Sequence, residues 1–116
     1  MTVLMVACGG AIGAVLRYLV GLSVAFPMGT FTVNVIGSLL IGLIYATTQA
    51  KGLHGWQPFL ITGILGGFTT FSAFSLDTMR LLEAGRLAAA GGYVMGTVLL
   101  SLAACAVGLW IAKGAL

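Results

Sequence analysis

The sequence predicts an all-α integral membrane protein, a single domain over residues 1–116 with four transmembrane helices, the third broken near its middle. Three observations predict it. Of the 116 residues, 60% are hydrophobic and only 6% charged, with a mean hydropathy of +1.18, a balance foreign to soluble domains of this size. The apolar residues form four stretches, 3–22, 30–49, 59–82 and 87–112, each close to the ~20 residues that cross a bilayer. Residues 63–79, reading GILGGFTTFSAFSLDTM, put adjacent glycines, a Thr-Thr pair and interleaved serines and phenylalanines inside the third stretch. Backbone that leaves the helical ladder at membrane depth survives only where it is buried in protein or lines a polar cavity, so this break marks a functional site.

The first stretch lacks a positive leading region, and Arg17 comes at its far end, so it reads as a retained helix and not a cleaved leader. It carries Gly9-x-x-x-Gly13, a small-residue stripe that lets another backbone approach closely. The fourth stretch offers Gly92-x-x-x-Gly96, and each stripe is either intrachain packing or a dimer face. Pro27 and Gly29 mark the first turn, residues 52–58 the second and Gly85 the third. Cys8 and Cys105 fall inside spans, where a thiol acts as a small hydrophobe, and two isolated cysteines define no disulfide framework or metal site.

Charge is more informative by position than by sum. The net +3 includes no basic run, which excludes a nucleic-acid surface. Four crossings place Lys51, His54 and Lys113 with both termini on one side, against Arg17, Arg80 and Arg86 on the other. So small a positive-inside bias permits insertion in both orientations, and with it an antiparallel dual-topology homodimer. Asp77 and Arg80 stand three residues apart and read as a pair at the helix end, and Glu83 and Arg86, with the same spacing, read as solvated interface charges.

The chemistry lies in the polar positions of the spans. Thr30, Asn34 and Ser38 recur every four residues on the second helix, and Tyr93, Thr97 and Ser101 do so on the fourth. A single membrane hydroxyl ordinarily bonds its own helix backbone. Two stripes facing a broken helix instead suggest a shared polar seam. That seam offers hydroxyl and amide donors, including Ser72 at the break, but no lysine and no carboxylate deep in a span. A cation or proton path calls for a buried acid; neutral donors suit a small anion shedding its water. Phe71 and Phe74, three apart, fit the same solute if their electropositive ring edges turn inward. Unwinding at the break also frees the carbonyls of Gly66 and Thr69, hard oxygen donors that suit Na⁺.

Together these residues resemble the Fluc/CrcB family of small fluoride channels over essentially the whole chain. The matching segments are residues 9–18 (GGAIGAVLRY), Gly29-Thr30-x-x-Val33-Asn34-x-x-Gly37-Ser38, and residues 66–75 (GGFTTFSAFS). The resemblance implies an antiparallel homodimer with two pores in the cell's inner membrane, passively exporting F⁻ that entered as HF and so giving fluoride resistance. It implies that Asn34 is the pore amide, Phe71 and Phe74 the aromatic box, and Tyr93, Thr97 and Ser101 a hydroxyl track. It implies Arg17 as a vestibule arginine, and Gly66 and Thr69 as carbonyl donors to a Na⁺ shared between subunits. Ala73 stands where many members carry threonine, and Asp77 where a glutamate is common.

Rival classes lack their key residues. A small multidrug-resistance transporter needs a membrane-embedded carboxylate in its first helix, and residues 3–22 contain none. A membrane enzyme such as a lipid kinase needs several acidic metal ligands, whereas the chain has two acids in all, so no enzymatic role is expected. A purely structural membrane oligomer remains an alternative, since small-residue stripes alone would explain it.

Overall fold

The structure, a computed structural model, describes residues 1–115. Helix α1 is Thr2–Ser23 and α2 is Met28–Ala50. After a short turn at His54–Trp56, helix α3 comprises a π-helical run, Pro58–Leu65, continued by an α-helical turn, Gly66–Phe68. Helix α4 is Phe71–Glu83 and α5 is Leu87–Ala115. With α3 and α4 taken as one span, four helical segments are long and apolar enough to cross a membrane. The expected boundaries hold to within a few residues, and the third span is broken where expected.

Close backbone approach sets the packing. Helix α1 lies along α3. A methyl group added to Gly9 would stand 2.6 Å from Phe59 O and 2.9 Å from Gly63 Cα, and one on Gly13 would overlap Ile64 O. Gly67 answers from the other side, where a methyl would stand 2.5 Å from Gly10 O. The Gly9-x-x-x-Gly13 stripe is therefore an intrachain seam. Helices α2 and α5 share a second extensive contact, closed where Gly42 meets Cys105 O and Gly108 meets Leu39 O. The Gly92-x-x-x-Gly96 stripe makes no comparable contact: nothing lies within 4 Å of a methyl on Gly92, and only the Phe31 ring approaches Gly96, at 3.7 Å.

Helix α4 packs on α5 through a small buried cluster of Phe74, Leu81, Ala90 and Tyr93, with Phe31, Ala89 and Val94 against it. Outside these seams large apolar side chains such as Leu4, Val15, Leu22, Leu102 and Trp110 are exposed, as expected of a surface whose solvent is lipid. The π-helical run has no counterpart in the sequence reading. Pro58 suits a helix start because its missing N–H is an orphan there anyway, but neither composition nor spacing announces the wider turns that follow.

Candidate functional site

The site is built around Thr69 and Thr70, the two residues between α3 and α4. Both are extended, with φ/ψ of −89°/158° and −155°/121°. Two glycines followed by two β-branched residues favour leaving the helix here. Thr70 then restarts it as an N-cap, its Oγ1 accepting from Ala73 N at 3.1 Å.

A break inside a membrane must satisfy its loose backbone groups, and besides the Thr70 cap two side chains, Asn34 and Arg17, do so. Asn34 on α2 forms a two-way clamp on one residue. Its Nδ2 donates to Thr70 O at 2.9 Å, and its Oδ1 accepts from Thr70 N at 2.8 Å. From α1, Arg17 Nε donates at 3.0 Å to Gly67 O, a carbonyl whose helical partner would lie beyond the break. Thr69 Oγ1 only donates back to Leu65 O at 2.9 Å, a carbonyl that already receives its helical amide from Thr69 N. Gly37 makes room, since a methyl there would overlap Thr69 Cγ2.

The same bonds expose two acceptors. The Thr70 N–H would serve Gly66 O in a continuous helix and goes to Asn34 instead; the Ala73 N–H would serve Thr69 O and goes to Thr70 Oγ1. Gly66 O and Thr69 O are thus left without their i+4 amides. Both residues line a groove of about 390 Å³ between α2, the break and α5. Among the described residues no group of three or more His, Cys, Asp or Glu could hold a metal, so any cation here would depend on such carbonyls.

The groove brings together Asn34, Ser38, Phe71, Phe74, Thr97 and Ser101. Their donors are not equivalent. Ser38 Oγ bonds its own helix at Asn34 O, 2.7 Å, the ordinary fate of a helical hydroxyl. Thr97 Oγ1 and Ser101 Oγ are buried with no hydrogen-bond partner among the described residues. The positive end of the α4 dipole also opens at the break. Buried hydroxyls left unpaired cost free energy, and these two belong to residues that line the groove.

The two rings behave differently. Phe74 is buried at 8% exposure and Phe71 is 77% exposed, although their centroids lie 5.5 Å apart at 56°. Phe71 thus forms an edge of the groove that one chain does not cover.

Four expected residues stand elsewhere. Ser72 is exposed, its Oγ 3.3 Å from Thr70 Oγ1, and it does not line the groove. Arg17 and Thr30 line a second cavity, of about 510 Å³, with Tyr18, Thr70 and Ala73. The stripe of α2 therefore divides, Thr30 facing one cavity and Asn34 with Ser38 the other. Tyr93 lies outside both cavities, and its hydroxyl donates to Asp77 Oδ2 at 3.3 Å.

Asp77 corrects the sequence reading. The expected pair with Arg80 is present at its limit, 4.0 Å from Nη1, but Asp77 itself is buried at 8% exposure, against the expectation of no carboxylate deep in a span. Arg80 lies over the Phe26 ring, 4.1 Å from its centroid, a cation–π contact that draws it toward the α1–α2 connector. A carboxylate therefore does belong to the α4–α5 seam. Its position on the inner face of α4, at i+3 from Phe74, was the available signal.

Comparison with known proteins bears on this geometry. Residues 4–109 match a family model described as "CrcB-like protein, Camphor Resistance (CrcB)". Curated relatives include proteins named "Fluoride-specific ion channel FluC" from Paracoccus denitrificans, 52% identical over 97% of this chain and 95% of that protein. Those from Roseobacter denitrificans and Agrobacterium fabrum are 46% and 43% identical, each over 97% of this chain and 96% and 97% of its relative.

Proposed function

This chain belongs to the CrcB-like family, and we propose that it is a fluoride-selective channel that passes F⁻ passively across the membrane. The observation that carries the reading is the pair of buried hydroxyls, Thr97 Oγ1 and Ser101 Oγ, without partners in the wall of the groove. Fluoride is a small, strongly hydrated anion that accepts hydrogen bonds and donates none. A file of donors can replace its water, and a narrow apolar groove opposes ions that do not fit. Phe74 and Phe71 line the same path, where ring edges turned inward would meet the anion, and Asn34 fixes the break beside them. Neither a nucleophile nor a redox centre enters, since transport needs no bond to be made or broken.

The functional unit in this reading is an antiparallel homodimer. The exposure of Phe71 on the rim of the groove supports it, because a second copy would close that side. The near balance of Lys51 and Lys113 against Arg17, Arg80 and Arg86 supports insertion both ways. A Na⁺ at the subunit boundary would be held by Gly66 O and Thr69 O, the two carbonyls deprived of their helical amides, with the same pair from the partner. It would supply positive charge and cross-bridging to the break; loss of dimer stability on replacing Na⁺ by a large organic cation would test it.

The experiment for the function is efflux from liposomes loaded with both anions, with a K⁺ ionophore balancing charge. Fluoride should leave while Cl⁻ stays trapped. Equal release of both would reject the selectivity.

A further inference from the structure

The second cavity runs from Thr70 at the break to Leu22 and Gly29, which flank the α1–α2 connector. Helices α1 and α2 close together at that end, where a methyl on Gly29 would stand 3.4 Å from Gly21 Cα. Helices α1 and α4 share no close backbone contact, although Arg17 of one and Ala73 of the other line the same cavity. The side between α1 and α4 is therefore the one left open. A side-chain bridge spans it. Ala73, Asp77 and Arg80 recur at i, i+4 and i+7 on one face of α4, so Arg80 lies two turns beyond the cavity wall, about 10 Å along the helix. There its guanidinium covers the Phe26 ring of the connector, 4.1 Å from the centroid.

We infer that Arg80 and Phe26 form a latch over the open side of this cavity, a positioning pair that ties α4 to the α1–α2 connector and limits what reaches Arg17. Little else restrains α4 on this side: it packs on α5 through the cluster of Phe74, Leu81, Ala90 and Tyr93, and its contact with α2 is slight. Nor is the cation anchored elsewhere. Asp77 Oδ1, the one carboxylate oxygen within pairing range of it among the described residues, stands at the limit of 4.0 Å. The Arg80 side chain is 57% exposed and Phe26 43%, so the contact lies at the surface, where a cation–π pair is weak enough to open and close. On the reading that fluoride crosses this chain, the latch narrows the approach to Arg17.

Rates of thiol modification in detergent micelles test this. In a chain lacking Cys8 and Cys105, Ala73→Cys puts a thiol in the second cavity, and Val98→Cys puts one in the groove. Each is reacted with two methanethiosulfonates of similar size, one carrying a sulfonate and one a quaternary ammonium. Phe26→Leu keeps every charge in place and should speed both reagents at position 73 by roughly two- to fivefold, the factor one exposed cation–π contact supplies. Arg80→Gln should speed the ammonium reagent by at least as much, and the double variant should be no faster than the faster single one. Position 98 should keep its rate throughout. Rates at position 73 indifferent to Phe26→Leu would overturn the latch, and opposite responses of the two reagents to Arg80→Gln would then make Arg80 a rim charge. Equal acceleration at positions 73 and 98 would overturn it as well, as a general loosening of the fold. The reaction needs no transport, so it reports on the latch even in a protein that conducts no fluoride.

Discussion

Replacing Asn34 with alanine removes the clamp that holds the break in α3–α4, and its cost follows from the bonds that disappear. Two hydrogen bonds are lost, at 2.9 and 2.8 Å, from a half-buried side chain to the backbone of Thr70. A buried backbone group left unpaired costs about 1–3 kcal/mol. Thr70 O, as the N-cap carbonyl, still receives the first intrahelical bond of α4, so most of the loss falls on the Thr70 N–H. Allowing for partial burial, the fold should lose about 2 kcal/mol. Equilibrium unfolding by SDS in mixed micelles, followed through Trp56 and Trp110, would measure it, and F⁻ flux should fall in parallel because Phe71 and Phe74 of the groove sit on the freed segment. Asn34→Asp keeps the acceptor for Thr70 N but turns an oxygen toward Thr70 O, so it should lie between alanine and wild type. If Asn34→Ala unfolds within about 0.5 kcal/mol of wild type, the scatter expected of an inconsequential surface change, the clamp does not hold the break.

Three further outcomes are expected. Gly13→Ala should destabilise the fold by about 1–3 kcal/mol, the usual cost of overpacking, because its methyl overlaps Ile64 O; Gly10→Ala on the same helix meets nothing within 4 Å and should be neutral or stabilising in the same unfolding assay. Thr97→Val with Ser101→Ala should leave stability unchanged or raise it by about 1 kcal/mol, since an unpaired buried hydroxyl is a cost to the fold, yet it should lower F⁻ flux; a destabilised variant with normal flux would assign those hydroxyls to structure. A single engineered cysteine, in a chain lacking Cys8 and Cys105, should label with a membrane-impermeant thiol reagent from both sides of the membrane, and one-sided labelling would rule out dual insertion.

Much of the architecture was legible because membrane crossing imposes a length and an apolar composition that four stretches meet. The break was legible for a related reason, since Gly66-Gly67 and Thr69-Thr70 disfavour helix where the bilayer otherwise demands it. What faces what was not legible. Periodicity groups Thr30, Asn34 and Ser38 on one side of α2, but it cannot tell that Thr30 meets a different cavity from the other two. The same limit applies to the glycine stripes: the sequence offers two, and only the fold shows Gly13 against Ile64 and Gly92 against nothing. Hydroxyls present the sharpest case. Ser38 bonds its own backbone, Tyr93 bonds Asp77, and Thr97 and Ser101 bond nothing among the described residues, although all four belong to the same kind of stripe. Burial of Asp77 escaped because its spacing to Arg80 supplied a ready surface partner, while its real neighbour lies sixteen residues on.

The most direct test of fluoride selectivity is the zero-current potential of the reconstituted protein with fluoride on one side of the bilayer and chloride on the other. A path lined by unpaired hydroxyl donors and ring edges predicts a large potential that follows the fluoride gradient and is indifferent to chloride. A potential near zero, moving equally with either anion, would contradict it.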